Sequence, residues 1–192
     1  MRTYFPRMGI VLIFACWFAN ASHADERDFS GVVTHVFDGD SFMVLPSGTT
    51  ASRKNEIEVR LVDIDAPEKD QPHADQARNA LIQLIEDRHV FVDVVDIDRY
   101  ERKVAKVRRE PDSLDIARAL VHHGHVWVNR KYVQDKTLVA LEDTARSNRT
   151  GLWALPRSEL VPPWQFRAES NGRKKAQKAQ KGQTRRASDN RS

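Results

Sequence analysis

Residues 60–68 decide how the rest of the chain is interpreted, and they read Arg60-Leu61-Val62-Asp63-Ile64-Asp65-Ala66-Pro67-Glu68. The stretch completes a run from Glu56 to Val62 in which apolar and polar residues alternate, as they do in a half-buried β-strand. Irregular sequence punctuated by Pro67 follows, which predicts a turn at the end of that strand. Two carboxyl groups, those of Asp65 and Glu68, are therefore expected on a turn beside a strand arginine.

The patterning of the other segments predicts a mainly β domain with a few helices. Strands are expected over residues 31–36, 41–45, 56–62, 90–97 and 102–108. Apolar residues at helical spacing predict α-helices over residues 73–87, from 112 or 113 to 123, and over 136–147. Five strands with helices inserted late favour a five-stranded oligonucleotide-binding barrel (an OB-fold) with three α-helices packed against it.

We expect the chain to divide into a leader (residues 1–24), one folded domain (25–166) and a basic tail (167–192). The leader has a basic start, a short apolar run and a small-residue triplet at its end, which is the order of a secretory signal peptide. This predicts export to the periplasm or the medium, with no stable membrane insertion after cleavage; a retained anchor is the alternative. The tail has almost no apolar residue and is predicted to be disordered.

Charge is distributed unevenly along the chain, whose net charge is +4. Residues 167–192 carry 9 Lys and Arg against 2 Asp and Glu, whereas residues 25–166 carry 20 basic against 25 acidic residues. A domain that only held nucleic acid is expected to be basic throughout. An acidic domain instead indicates carboxylates gathered for another purpose, such as binding a cation. The one cysteine, Cys16, lies in the leader, so the domain has no thiolate ligand.

Charged residues are concentrated in three segments that are predicted to be turns or strand ends, namely residues 38–40, 60–68 and 98–102. Asp40 and Asp65 offer the oxygen ligands that hard divalent cations prefer. Arg60 and Arg102 offer planar guanidinium groups, which match two oxygens of a phosphate. Glu68 is placed to take a proton from water. This combination suits the hydrolysis of a phosphodiester, whose transition state gains negative charge.

On these motifs the sequence resembles the staphylococcal nuclease (thermonuclease) family over roughly residues 31–153. The matching motifs are Val36-Phe37-Asp38-Gly39-Asp40-Ser41, the stretch 60–68, Asp98-Arg99-Tyr100-Glu101-Arg102, Leu120-Val121-His122-His123-Gly124, and Ala145-Arg146 before Gly151-Leu152-Trp153. The resemblance implies a calcium-dependent nuclease on an OB-fold barrel, which cuts DNA, RNA or both and leaves 3′-phosphate ends. We expect it to act as a monomer.

The resemblance also implies a role for each matching residue. The family's calcium ligands correspond to Asp40, Asp65 and, through its backbone carbonyl, Ala66. Its two catalytic arginines and its proposed general base correspond to Arg60, Arg102 and Glu68. Its contacts with the bound nucleotide correspond to Tyr100 and, in a less well-aligned segment that also contains Arg130, to Tyr132.

Two positions depart from the family pattern. Glu101 stands where the family usually has Gly, and if that turn requires a positive φ, Glu costs about 1 kcal/mol or more. Ala66 stands where Thr is frequent, which is tolerable because only the backbone carbonyl is needed.

Other interpretations of the sequence are weaker. A zinc site at His122, His123 and His125 is disfavoured because adjacent histidines at a helix end rarely converge on one ion. A secreted binding module on the same barrel, without catalysis, has no use for converging acids that repel phosphate. A third possibility is an envelope adaptor whose basic tail is the working part. In a nuclease, that tail is expected either to hold substrate through its phosphates or to be simply solvated.

Overall fold

A closed β-barrel forms the centre of the computed structural model, which describes residues 28–131, 133 and 135–189. The strands in chain order are β1 (Phe29–Val36), β2 (Ser41–Pro46), β3 (Ile57–Leu61), β4 (Ile64–Asp65), β5 (His89–Ile97), β6 (Lys103–Arg109), β7 (Leu114–Asp115) and β8 (Trp127–Val128). β1 pairs with β2 and β5, β2 with β3, and β5 with β6, all antiparallel. The parallel pairing of β6 with β3 closes a barrel of five strands, which confirms the predicted OB-fold architecture.

In the part of the chain that the structure describes, four α-helices accompany the barrel: α1 (Ala74–Ile85), α2 (Ile116–His122), α3 (Lys136–Ser147) and α4 (Pro163–Asp189). The first three were predicted. The N-cap of α2 is Asp115, whose side chain accepts from the Arg118 N–H, rather than Asp112 or Ser113. Asp112 is instead held by the guanidinium of Arg109.

Residues 167–189, which the sequence predicts to be disordered, are helical in the structure as part of α4. Its sequence is rich in Ala, Gln, Lys and Arg, which favour helix even where there is no apolar face to bury. Its first turns are also anchored to the domain: Pro163 is buried, and the Trp164 ring lies edge-on to Trp127 at 6.0 Å. The helix therefore begins on the surface of the barrel domain rather than as a free tail.

The barrel interior is filled by side chains from alternate strand positions. Fully buried members include Val33, Val36, Phe42, Val44, Val59, Val90 and Val92. Leu81 and Ile85 of α1 and Ile116 and Leu120 of α2 complete this core. Such close packing fixes the strand ends, so polar side chains that leave those ends are held in defined positions.

A second, smaller core lies under α3. Trp153 is 5 % exposed and meets Trp127 edge-on at 4.5 Å, so the two rings form the centre of this core. The guanidinium of Arg146 lies 3.8 Å from the Trp153 ring centroid, which is a cation–π contact. β8 carries Trp127 and pairs with β4, so this small core supports the strand that contains Asp65.

Two parts of the prediction fall outside the described residues: the leader (1–24) and Tyr132. Among the helices that the structure does describe, none combines the length and apolar character needed to cross a bilayer.

Candidate active site

Asp40 and Asp65 are brought together by Arg60. Arg60 lies on β3, opposite Ser41 at the start of β2. Its Nη1 donates to Asp40 Oδ1 and its Nη2 to Asp65 Oδ1, each at 2.8 Å. The Ala66 N–H donates to the other oxygen of Asp40 at 2.8 Å. Residues from the first two charged segments of the sequence therefore share one hydrogen-bonded cluster.

Arg102 joins the same cluster from the third charged segment. It precedes β6; its Nε donates to Asp98 Oδ2 at 2.8 Å, and its Nη2 forms an ion pair with the same oxygen at 2.7 Å. Its Nη1 lies 3.4 Å from Ser41 Oγ, which in turn donates to Asp40 Oδ1 at 3.0 Å. Asp98 also accepts the backbone N–H groups of Tyr100 and Arg102, so the turn and the guanidinium are oriented by one carboxylate.

Glu68 lies on the loop after β4 and faces the same cluster. Its backbone N–H donates to Gln71 Oε1 at 2.9 Å, and Gln71 Nε2 donates to Val161 O at 2.8 Å. The Glu68 carboxylate is 38 % exposed and accepts from Arg167 Nη1 at 2.6 Å. Gln71 thus fixes the backbone of the loop, while the acid itself stays within reach of water.

The carboxylate of Asp40 is buried beside other acids, and a nearby positive charge would stabilise its ionised form. The pKa of Asp40 is raised to about 7: burial is the main cause, the negative charges of Asp38 and Asp65 act in the same direction, and Arg60 and the Ala66 N–H oppose them. The three acids Asp40, Asp65 and Glu68 share only two guanidinium groups, those of Arg60 and Arg167, which leaves excess negative charge that an added cation would offset.

The donor set fits a hard divalent cation. Asp40 and Asp65 supply oxygens only, and both accept from the same guanidinium, so their carboxylates lie side by side. Among the residues that the structure describes, no three acidic or imidazole side chains already converge on one point. A calcium ion would therefore complete its ligands with backbone carbonyl and water oxygens, as it commonly does.

Space for a nucleotide adjoins these groups. One cavity of about 500 Å³ is lined by Phe37, Asp40, Arg60, Asp65, Glu68 and Arg78 among others. A second, of about 520 Å³, is lined by Arg60, Glu68, Tyr100, Arg102 and Arg167 among others. Because Arg60 and Glu68 line both, the cavities adjoin at the cluster. Tyr100, 63 % exposed, stands at the rim of the second cavity.

The structure gathers seven of the eight residues predicted for the site: Asp40, Arg60, Asp65, Ala66, Glu68, Tyr100 and Arg102. Their individual roles stay predictions, as does that of Tyr132. Sequence reasoning missed four participants. Ser41 and Asp98 stand within the quoted motifs and were available to it, whereas Gln71 and Arg167 carry no local signal.

Glu101 adopts φ 67° in the turn between β5 and β6. The turn therefore does require a positive φ at this position, and a glutamate occupies a place that suits glycine. The strain lies next to Arg102, on the same turn that Asp98 stabilises.

The histidines form a pair away from this cluster. His73 Nε2 and His125 Nδ1 are 3.1 Å apart, and their rings stack with centroids 5.3 Å apart. The pKa of His73 is lowered to about 4, mainly by burial and also by the neighbouring His125. Burial also lowers the pKa of His125, with His123 adding to the effect. This pair is therefore neutral at neutral pH.

The barrel, the acid cluster and the paired arginines define the class of the protein: a hydrolytic phosphodiesterase that acts on nucleic acid. A family model described as staphylococcal nuclease homologue matches residues 58–155. The chain belongs to the staphylococcal nuclease family.

Individual relatives agree with this assignment. The chain is 39 % identical to protein ParB of Escherichia coli, over 77 % of this chain and 84 % of that protein. It is 32 % identical to an uncharacterized endonuclease of Escherichia coli O157:H7, over 87 % of this chain and 98 % of that one. It is 34 % identical to a micrococcal nuclease of Shigella flexneri, over 74 % and 83 %.

Proposed function

We propose that this nuclease is exported, requires calcium, and hydrolyses DNA, RNA or both to leave 3′-phosphate ends. The observation that carries the proposal is the single cluster in which Arg60 bridges Asp40 and Asp65 beside a cavity lined by Arg102. Export is supported by the composition of residues 1–24. The 3′-phosphate products are an expectation from the family resemblance.

The two arginines would bind the scissile phosphate from two sides. Arg102 is oriented by Asp98, which engages its Nε and Nη2 and leaves Nη1 directed towards the cluster. Arg60 is fixed by two buried aspartates. Guanidinium groups held in advance stabilise the charge that develops on the phosphate without having to reorganise during the reaction.

Glu68 would act as the general base. Its carboxylate is partly exposed on the loop that follows Asp65, so a water molecule can reach it. The carboxylate takes a proton from that water as its oxygen attacks phosphorus. The bond from phosphorus to the 5′-oxygen then breaks, the 5′-oxygen takes up a proton, and the phosphate stays on the 3′-oxygen.

Calcium bound at Asp40, Asp65 and the carbonyl of Ala66 would supply the charge that offsets the phosphate and activates water. A requirement for calcium ligands explains why the domain is acidic although its substrate is an anion.

The test uses 5′-labelled single-stranded DNA and RNA oligonucleotides with the purified protein in calcium, in magnesium, or in a calcium chelator. We expect cleavage with calcium, loss of cleavage with the chelator, and products whose mobility shifts after phosphatase removes a 3′-phosphate. Cleavage that persists in the chelator would contradict the calcium requirement. Binding without cleavage in every condition would identify a binding module instead.

A further inference from the structure

Arg167 of α4 occupies the acids of the candidate active site. Its Nη2 donates to Asp65 Oδ2 at 2.7 Å, and its Nη1 donates to Asp65 Oδ1 at 3.1 Å and to Glu68 Oε1 at 2.6 Å. One guanidinium therefore binds both oxygens of one acid and reaches a second. Asp65 is 1 % exposed, so this is a contact with the buried centre of the site rather than with its rim.

Both oxygens of Asp65 already accept hydrogen bonds from guanidinium groups in this arrangement. Its Oδ1 is shared by Arg60 and Arg167, and its Oδ2 is held by Arg167. Glu68, the proposed base, is neutralised by the same guanidinium. The Arg60 contact alone leaves Oδ2 open, so Arg167 is the group that closes the site.

The approach of Arg167 is set by the segment before it. Gln71 joins the Glu68 backbone to Val161 O, and Trp164 packs against Trp127. These contacts place the first turn of α4 beside the loop that carries Glu68. Yet the Arg167 side chain is 43 % exposed, so its guanidinium can turn to solvent while the helix stays in place.

We propose that Arg167 is an internal cation that competes with calcium for Asp65 and Glu68, so that the enzyme is held closed until a divalent cation displaces the guanidinium. The inference rests on the calcium site of the proposed function. It goes beyond that function because it assigns an autoinhibitory contact to a residue outside the matched family segment, residues 58–155.

The contact makes calcium affinity, rather than activity, the quantity to measure. Removing the guanidinium frees Asp65 Oδ2 and the Glu68 carboxylate, and the cation no longer has to break an ion pair in order to bind. A partly exposed pair that spans two acids corresponds to a change of roughly tenfold in affinity.

The experiment is calorimetric titration of calcium into the wild-type protein and into Arg167→Ala, Arg167→Lys and Arg173→Ala, at one ionic strength and without nucleic acid. Arg173→Ala is the control, since it removes the same charge from the same helix and its guanidinium is hydrogen-bonded to Ser170. We expect roughly tenfold tighter binding for Arg167→Ala, a smaller gain for Arg167→Lys, and wild-type affinity for Arg173→Ala.

The possible results distinguish a failure of the Arg167 competition from a failure of the proposed calcium site. If the wild type binds calcium and Arg167→Ala binds it equally well or more weakly, the competition is refuted while the calcium site stands. An equal gain in Arg173→Ala would also refute it, because the effect would then be one of overall charge. If neither the wild type nor Arg167→Ala binds calcium, the proposed calcium site fails and the inference fails with it.

Discussion

Arg60 has two tasks, and they affect any mutation made there. It is proposed to bind the phosphate, and it is also the counter-ion of the buried Asp40 and Asp65. Removing it leaves two buried carboxylates short of a partner, which typically costs about 3–5 kcal/mol. Arg102 pairs with Asp98, whose acid also accepts two backbone N–H groups. Arg102 is therefore the cleaner residue on which to test catalysis.

Glu101 gives a prediction about strain at a single residue. Its φ of 67° is a conformation in which a side chain costs about 1–2 kcal/mol, partly offset in a glycine variant by the extra freedom of the unfolded chain. Glu101→Gly should therefore raise the free energy of unfolding by about 0.5–1 kcal/mol, measured by urea denaturation. Glu101→Ala, which keeps the Cβ, serves as the control and should show little gain. A Glu101→Gly protein less stable than the wild type would contradict this account.

Between the elements, one buried acid holds β8, the short strand that pairs with the strand carrying Asp65. Glu142 of α3 is fully buried and accepts from the Val128 N–H of β8 at 2.9 Å. Its other oxygen pairs with Arg130 at 2.7 Å. Because β8 pairs only two residues with β4, this side chain supplies support that the strand pairing alone does not.

We predict that Glu142→Leu destabilises the fold by about 1–3 kcal/mol, since it leaves the buried Val128 N–H without an acceptor. Glu142→Gln, which keeps an acceptor for Val128 and loses only ion pairs with partly exposed arginines, should cost less, about 1 kcal/mol. The neighbouring Asp143 is exposed and also pairs with Arg130, so Asp143→Asn should cost within about 1 kcal/mol. Equal effects of Glu142→Leu and Asp143→Asn on denaturation midpoints would rule out the supporting role.

How far the elements could be predicted depends on whether local sequence determines them. The alternation of apolar and polar residues predicts the ends of all five barrel strands to within one or two residues, because one face of each strand is buried. The start of α2 was misplaced because Asp112, Ser113 and Asp115 are all good caps. Pairing of residues 114–115 with β6, a tertiary contact, decides among them.

The residues of the candidate site likewise divide into those that local sequence identifies and those that only a tertiary contact reveals. Asp40, Arg60 and Asp65 could be grouped from the sequence because they stand in motifs at strand ends. The contact of Arg167 with Asp65 joins residues 102 positions apart and leaves no pattern in either segment. The scarcity of apolar residues in the tail is evident from the sequence. The ion pair that Arg167 forms in the first turns of α4 is not.

At the scale of the whole molecule, a basic helix, α4, follows a domain that carries more acidic than basic residues. Residues 171–192 carry 8 Lys and Arg against one acidic residue. Positive charge of this kind attracts nucleic acid through its phosphates in a salt-dependent way. The helix begins at the active site, so substrate held along it would lie close to the cavity.

Deletion of residues 171–192, which spares Arg167 and Trp164, tests this tethering. We expect KM for long single-stranded DNA to rise roughly three- to tenfold at low salt, with kcat little changed and the difference shrinking as salt screens the charges. The wild-type protein measured over the same salt series is the control. An unchanged KM at low salt would show that the helix does not hold substrate.

The most direct measurement of the central claim is the turnover of single-stranded DNA by Arg102→Ala in saturating calcium. The matched control is Arg108→Ala, an exposed arginine at the far end of β6 that removes the same charge. If acids and guanidinium groups form one phosphate-hydrolysing centre, Arg102→Ala keeps its fold and loses about 10²–10³-fold in kcat, while Arg108→Ala keeps near-normal turnover. Arg102→Ala turnover within a few-fold of the wild type would contradict the account.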